Sequence, residues 1–529
     1  MTRLALSVAA TALLATGALA DGHDPRPELV IGMNLIQRAH PAVAESNYDS
    51  RVIKSVMDGL LNRDWAAGPN RNGTEIVPGL FTEWEQIDDL TWEFKMRPGV
   101  VFHNGREMTI EDVHFTLSAE RLWGPEAIRP HAMAGSFASV DIVDEETLRL
   151  TTKAPDPVLL QRLAHVIGHV VPAEEYRELG PEGFAAAPIG TGPYKWETYV
   201  SGDELILSAH DDYWGSKPPF RRIVFKAVPE NSSRIAGLIT GQYDIITSVP
   251  PDQAELIDRE EGYRTAPFEV ENIHILMFIS GCGERTEEDC AADPSALEDK
   301  RLRQAMVHAV DREQIADRLW GGLAKVPAGP NFPFFGELYE ETRTPLAYDP
   351  ERAKALMEET GYDGEEIVVT AVQGYYVNGD RALQVMQQMW QAVGLNVNLQ
   401  FIENWTQQRP YGEVQDSFIV SANLRVPDPL SPWWWNYAAP AGFYQSNGIL
   451  ALSDEYIEVG EAISSTLDVE ERKALWTRAL DIWQDELPGM IFYRPIEILG
   501  VRDCLGWEPY SFYWMDFRAE NVTAVCDQS

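Results

Sequence analysis

Apolar residues alternate in some stretches of the chain and recur every three to four positions in others. The switch between these two periods predicts its strands and helices. ELVIGMNL, starting at Glu28, alternates and is rich in branched side chains, as a strand is. Between Asn47 and Leu61, the residues Val52, Ile53, Val56, Leu60 and Leu61 fall at helical spacing. A meander of short strands follows. Leu90, Trp92, Phe94 and Met96 share one face, Arg97-Pro98-Gly99 turns the chain, and Asn104-Gly105 marks a hairpin turn after VVFH. Thr109 reads as a helix N-cap, with Asp112 three residues on and Val113 and Leu117 as the apolar face.

Farther along, DKRLRQAMVHAVDREQIADRLW reads as one helix through Leu302, Met306, Val310, Ile315 and Leu319. Asp349-Pro350 supplies an N-cap with proline in the first turn, and Gly361 ends that helix. GEEIVVTAV predicts a strand. A helix from Asp380 runs through Leu383, Met386, Trp390 and Val393 to Gly394, and NVNLQFI predicts a second strand. Strand, helix and strand with short links make a right-handed crossover with parallel strands. The second half is therefore α/β, and the first mixes a strand-rich meander with helices. A chain of 529 residues exceeds one hydrophobic core, so two or three lobes are expected.

Charge narrows the partners. With 82 acidic against 43 basic side chains the formal charge is −39. A phosphate backbone is repelled, which excludes nucleic acid, and anionic lipid is disfavoured too. The first 20 residues, MTRLALSVAATALLATGALA, have one cation at Arg3, an apolar run from Leu4 to Leu14, and Ala18-Leu19-Ala20. This predicts a signal peptide cleaved after Ala20, too short to span a bilayer permanently. The next residue, Asp21, is not cysteine, so no lipid anchor is expected and the product belongs in a periplasm. Four cysteines in an exported chain suggest disulfides, and three pairings are possible. Proximity favours Cys282–Cys290 and Cys504–Cys526. A zinc site is the alternative, but no Cys-x-x-Cys spacing supports it.

Catalytic signatures are missing. The sequence has no zinc-protease helix motif, no Gly-x-Ser-x-Gly elbow and no phosphate-cradling loop, and its Gly-x-Gly pairs lack a third glycine. His165 and His169 are four residues apart, as a metal pair would be, yet they lie among Leu163, Val166, Ile167 and Val170, as a buried core pair would. Aromatics say more. Trp433, Trp434 and Trp435 are consecutive and cannot all face one core, so at least one faces a cleft or a partner unless they fill an interface between lobes. Trp405, Tyr375 and Tyr376 follow strands of the crossover unit, where loops line crevices.

Several long segments, in order, carry a resemblance: VMDGLLNRD; IVPGLFTEWEQIDDLTWEFKMRPGVVFHNGREMTIEDVHFTL; PIGTGPYKWETYVSGDELILSAHDDYWGSKPPFRRIVFKAV; RIAGLITGQYDII; KRLRQAMVHAVDREQI; YDPERAKALMEETGY; and MQQMWQAVGLNVNLQFIE. Over nearly the whole mature chain it resembles the family 5 extracellular solute-binding proteins, the dipeptide, oligopeptide and nickel-type receptors of ABC importers. The resemblance implies an α/β two-lobe periplasmic binding fold of the large cluster C type, with mixed sheets flanked by helices and a hinge. Residues 21–270 and 498–529 would form the large lobe and residues 271–497 the small one. The crossings would fall near 268–280 and 491–501, leaving one proposed disulfide in each lobe. The implied function is capture of a peptide-class or related small polar solute by lobe closure and its delivery to a membrane permease. The protein would be a monomer, with no cofactor and no catalytic residue. A secreted hydrolase, and a chaperone or sensor without an importer, are the rival classes.

In peptide-binding relatives an aspartate three residues before an acidic-Pro pair holds the ligand's ammonium. Here that pair is Asp428-Pro429, and the earlier position is Arg425. An arginine there favours a carboxylate, phosphate or sugar acid. The alternative makes Arg425 a surface or bridging residue and gives an amine to Asp428 or another acid. Nickel chelate and haem are further candidates. The expected pocket comprises Arg425, Asp428, Trp433, Trp434, Trp405, Tyr375, Tyr376 and Asn378, with Asn34 and Gln37 after the first strand.

Overall fold

Two large sheets and the two places where the chain passes between them organise the protein. The computed structural model describes residues 24–36, 46–68, 70–128, 131–279, 295–403, 416–435 and 453–526, and of residues 422, 423, 432 and 433 only the backbone. The predicted signal peptide, Gln37, Cys282, Cys290 and Trp405 lie outside the described residues. The first sheet has seven strands in the order Tyr263–Glu269, Ile496–Arg502, Ile245–Ile246, Glu28–Met33, Arg222–Ala227, Glu204–Ala209 and Tyr194–Val200. The second has five: Val397–Ile402, Ile367–Val372, Ser417–Asn423, Asn272–Phe278 and Gly489–Tyr493. A four-stranded antiparallel sheet, Phe81–Gln86, Thr91–Met96, Thr147–Thr152 and Phe137–Ile142, is the predicted meander.

Strand Tyr263–Glu269 pairs antiparallel with Ile496–Arg502 in the seven-stranded sheet. Immediately beyond, Asn272–Phe278 pairs with Gly489–Tyr493 in the five-stranded sheet. The two chain segments therefore cross side by side, at Val270-Glu271 and at Arg494-Pro495. The protein has the expected two-lobe architecture, with mixed α/β structure.

Local chemistry explains most boundaries. Asp112 accepts from the Thr109 N–H at 3.0 Å and closes the cap of the helix Ile110–Leu117. Asp349 accepts from the Arg352 N–H at 2.9 Å, and helix Pro350–Thr360 ends on left-handed Gly361, φ 73°. Helix Gly379–Val393 ends on Gly394, φ 102°, and links parallel strands in the register Ile367↔Val397. The helical pattern over Asp299–Trp320 is broken into Lys300–His308 and Arg312–Trp320. The cause is Asp311, whose carboxylate accepts from the Gln314 N–H at 2.9 Å and starts a new helix inside an unbroken apolar period. The first helix is also shorter than its pattern, Asn47–Val56, because Leu61–Arg63 is drawn into a ladder with Ile76–Pro78.

One apolar core joins the four-stranded sheet to the five-stranded one, through Phe94, Leu148 and Leu163 with Ile275, Leu424 and Trp476. Another packs the C-terminal aromatics Trp507, Trp514 and Phe517 under the seven-stranded sheet. Cys504 and Cys526 form a disulfide there, with Cα atoms 5.0 Å apart. His165 and His169 are buried as a core pair would be, but they flank the single 3₁₀ turn Val166–Gly168 and do not share an α-helical face. Neither ring nitrogen of His165 has a hydrogen-bond partner. Its ring stacks on Trp514 at 5.2 Å. Among the described residues no group of three or more His, Cys, Asp or Glu is placed to hold a metal ion.

Candidate functional site

The junction of the two large sheets gathers side chains from every element that reaches it. Helix Asn47–Val56 is capped by Ser46, which accepts from the Asp49 N–H at 3.0 Å. Tyr48 and Arg51, three residues apart, lie on one face of it. Arg51 Nη2 donates to Glu497 Oε1 at 2.9 Å, and both side chains are buried. Glu497 stands just past the second crossing. The Ser248 N–H donates to the same oxygen at 2.8 Å. Ser248 reaches it only by taking a left-handed backbone, φ 57°, uncommon for a residue with a side chain and concentrated at functional positions.

The five-stranded side contributes His274 from its crossing strand, Trp320 at a helix end, and Tyr375 and Tyr376 in the loop after Ile367–Val372. Tyr48 makes the contact across the junction. Its hydroxyl donates to the Tyr375 carbonyl at 3.0 Å, the rings meet edge to face at 5.4 Å, and Asn34 Nδ2 donates to the same hydroxyl at 2.9 Å. Tyr376 accepts from the Ser421 N–H at 2.8 Å and lies 4.5 Å from the His274 ring. Asn378, itself left-handed at φ 59°, donates to the Leu319 carbonyl at 2.8 Å and ties the tyrosine loop to the helix that ends at Trp320.

These groups enclose a cavity of about 30 Å³, room for a water molecule or two. Burial holds His274 down to about 3, so the imidazole is neutral, and burial pushes the Tyr48 hydroxyl up. The site offers aromatic faces, hydrogen-bonding edges and one fixed ion pair.

The other expected site residues are distributed more widely. Arg425 is half-buried, and Leu424 beside it donates its N–H to the carbonyl of Glu271 at the first crossing. Burial, and then the charge of Arg425, hold His165 well below the usual imidazole range. Asp428 is 5% exposed, and its carboxylate is engaged by Arg472 at 2.9 Å. Trp434 lies against Gly460, where an added Cβ would sit 2.0 Å from its ring. Trp435 is under Arg162, 4.3 Å from ring to guanidinium. Trp433 is known by its backbone alone. Tyr375, Tyr376 and Asn34 are brought to the cavity region; Asp428 and Trp434 are turned toward the core.

Sequence reasoning does not single out Tyr48, Arg51, Ser248, His274, Trp320 or Glu497. One signal points to the last of them. Glu497 is a lone acid inside the apolar run IFYRPIEILGV, and a buried carboxylate needs a cationic or donor partner.

Comparison with known proteins places these features in context. The family model for bacterial extracellular solute-binding proteins, family 5 middle, matches residues 75–443. Haem-binding protein A of Haemophilus influenzae is 26% identical over 355 residues, covering 62% of this chain and 62% of that protein. The dipeptide-binding protein of Escherichia coli is 24% identical over 450 residues, covering 79% and 81%. Among solved structures, the periplasmic binding protein DppA from Helicobacter pylori in complex with peptide STSA superposes with a TM-score of 0.81 at 20% identity, covering 94% of this chain and 99% of that one. AgaA from A. tumefaciens R10 in complex with agropinic acid gives 0.78 at 21%, covering 95% and 99%.

Proposed function

Because the chain belongs to the bacterial extracellular solute-binding proteins of family 5, we propose that it captures a peptide-class or related small polar solute between its lobes and passes it to the permease of an ABC importer. Family 5 proteins bind solutes and do not transform them, so it is not an enzyme and no catalytic residue is assigned. The observation that carries the reading is the pair of adjacent crossings with Tyr48 bridging to Tyr375 beside them. A solute that touches both lobes only in the closed form drives closure by its differential affinity, about 5.5 kcal/mol for a shift from 1:99 to 99:1.

In this reading residues 21–270 and 498–529 make the large lobe and 271–497 the small one. The protein is a monomer, exported by residues 1–20, cut after Ala20 and free of lipid. Arg425, Tyr375, Tyr376, Asn378 and Asn34 contact the solute, Asp428 and Trp434 support the wall from behind, and contacts from Trp405, Trp433 and Gln37 belong to the same proposal. Arg425 favours a solute carrying a carboxylate, since arginine presents a fork that matches it. The relatives' own ligands span this range: a dipeptide-binding protein, a haem-binding protein and a complex with agropinic acid.

The test is native mass spectrometry of protein taken from its own periplasm, followed by denaturing release of the bound solute. Titration with dipeptides, agropinic acid, a nickel–histidine chelate and haem follows, with solution scattering on each. The expected result is one class that binds and contracts the molecule. Turnover of the released compound, or no contraction with any bound solute, would overturn the proposal. Equal affinity of Arg425→Ala for the released solute would remove the carboxylate assignment alone.

A further inference from the structure

Arg162 stands on the short helix Leu159–Leu163, which packs beside strand Leu61–Arg63. Trp435 closes the helical turn Leu430–Trp434, which follows strand Ser417–Asn423 of the five-stranded sheet. Far apart in the chain, the two side chains meet. The guanidinium lies 4.3 Å from the centre of the indole, and the residues are 4% and 7% exposed. The ring quadrupole attracts a cation held over its face, and does so more strongly where water is excluded. Leu159 and Leu163 from one segment, and Val426 and Leu430 from the other, belong to the same apolar core as Trp435.

The charges around this contact are held so that it can part. Arg162 Nε lies 2.8 Å from Asp156 Oδ2, and Nη1 donates to the Met133 carbonyl at 2.9 Å. Asp428, on the Trp435 side, is engaged by Arg472 at 2.9 Å. Burial pulls the Arg162 guanidinium down, and the charges of Asp156 and then Asp428 oppose that. Each side therefore carries its own counter-ion. Drawing Trp435 away from Arg162 leaves no charge buried alone, which is the costly outcome when a buried pair is broken. The cation keeps Asp156 and Met133, and the ring face gives up a partner that water replaces.

We propose that Arg162 and Trp435 form a clasp that holds the two lobes together with or without a solute between them. Under the lobe division given above, on which this rests, Arg162 belongs to the large lobe and Trp435 to the small one. The clasp acts on the closed form alone. It raises the closed fraction of the solute-free protein and multiplies the affinity of every solute by one common factor. Its loss lowers the closed-to-open ratio about tenfold. The run Trp433-Trp434-Trp435 then has one member that serves closure and not the solute.

The test uses the full mature chain, freed of solute by dialysis and checked by native mass spectrometry, and reads the radius of gyration by solution scattering. Trp435→Leu, which deletes the ring face, should expand the molecule, and Trp435→Phe, which keeps a smaller one, should expand it less. Arg162→Lys keeps the charge beside Asp156 but loses the flat guanidinium, so it should expand the molecule too. Arg162→Lys added to Trp435→Leu should expand it no further, because the partner is already gone. A radius of gyration unchanged in all three single variants, whether or not their thermal midpoints fall, or effects that add in the double variant, would overturn the clasp. If Trp435→Leu does not fold, Trp435→Phe and Arg162→Lys decide. No solute enters these measurements. A protein that passes them yet contracts on no solute sinks the capture reading alone, and one that fails them yet contracts on a solute sinks the clasp alone.

Discussion

Glu271→Gln tests the first crossing directly. Glu271 accepts from Arg63 through both oxygens, at 2.9 and 3.0 Å, and the two side chains are 1% and 2% exposed. Arg63 also donates to the Gly73 carbonyl at 2.9 Å and lies over Trp65 at 3.7 Å. The amide keeps the shape but removes the charge and turns one acceptor into a donor facing the guanidinium. Removing one partner of a buried pair costs about 3–5 kcal/mol. The lower end applies here, because glutamine still accepts one bond and Arg63 keeps Gly73. A loss of about 3 kcal/mol lowers the midpoint of a lobe of this size by about 6–12 °C. Differential scanning calorimetry of the wild type, Glu271→Gln, Arg63→Met and the double variant completes a cycle. The double variant should lose less than the sum of the singles by about 2 kcal/mol or more, since neither partner is then left charged and alone. A midpoint for Glu271→Gln within about 2 °C of wild type, or strict additivity, would refute the reasoning.

Tyr48→Phe deletes the hydroxyl that spans the junction, so the closed form loses about 1 kcal/mol and calorimetry should show solute affinity weakened about fivefold. His274 is neutral in the folded protein, at about 3, against about 6.5 when unfolded, so unfolding takes up a proton as pH falls below about 6.5. Stability is therefore lost on acidification by about 1.4 kcal/mol per pH unit from this group until about pH 3, and His274→Phe should flatten the pH dependence of the urea midpoint by about one proton. Cys504→Ser together with Cys526→Ser opens a loop of 22 residues and should destabilise the C-terminal part by about 3 kcal/mol, read as a thermal shift that added reductant reproduces in the wild type.

Elements marked by their own side chains are legible in the amino-acid sequence. Thr109 with Asp112, Asp349 with Pro350, and Gly394 after Val393 each fix a helix end through contacts within a few residues. Asp311 is equally local, but an unbroken apolar period hides it. Leu61–Arg63 carries a helical pattern and becomes a strand through its partner at Ile76–Pro78, which periodicity does not see. The candidate site is harder still. Tyr375 and Asn34 can be reached because they follow strands. Tyr48, Ser248 and Glu497 sit about 200 or more residues from one another, and only the paired crossings bring them together. Bulk and charge make Trp434 and Asp428 look solute-facing in the sequence, whereas Gly460 and Arg472, which hold them, give no sign there of doing so.

The placement of Ile496–Arg502 between Tyr263–Glu269 and Ile245–Ile246 sets an order of events during synthesis. Everything from the first crossing to the second can be made, and can fold as an insert, before that strand exists. Until the last stretch of chain emerges, Tyr263–Glu269 has no partner in the sheet and the other five strands end on an unpaired edge at Ile245–Ile246, a template for the wrong neighbour. The protein must therefore be kept from its own kind until it is almost complete, and a chain cut a few dozen residues short would lack the strand that joins Tyr263–Glu269 to the other five.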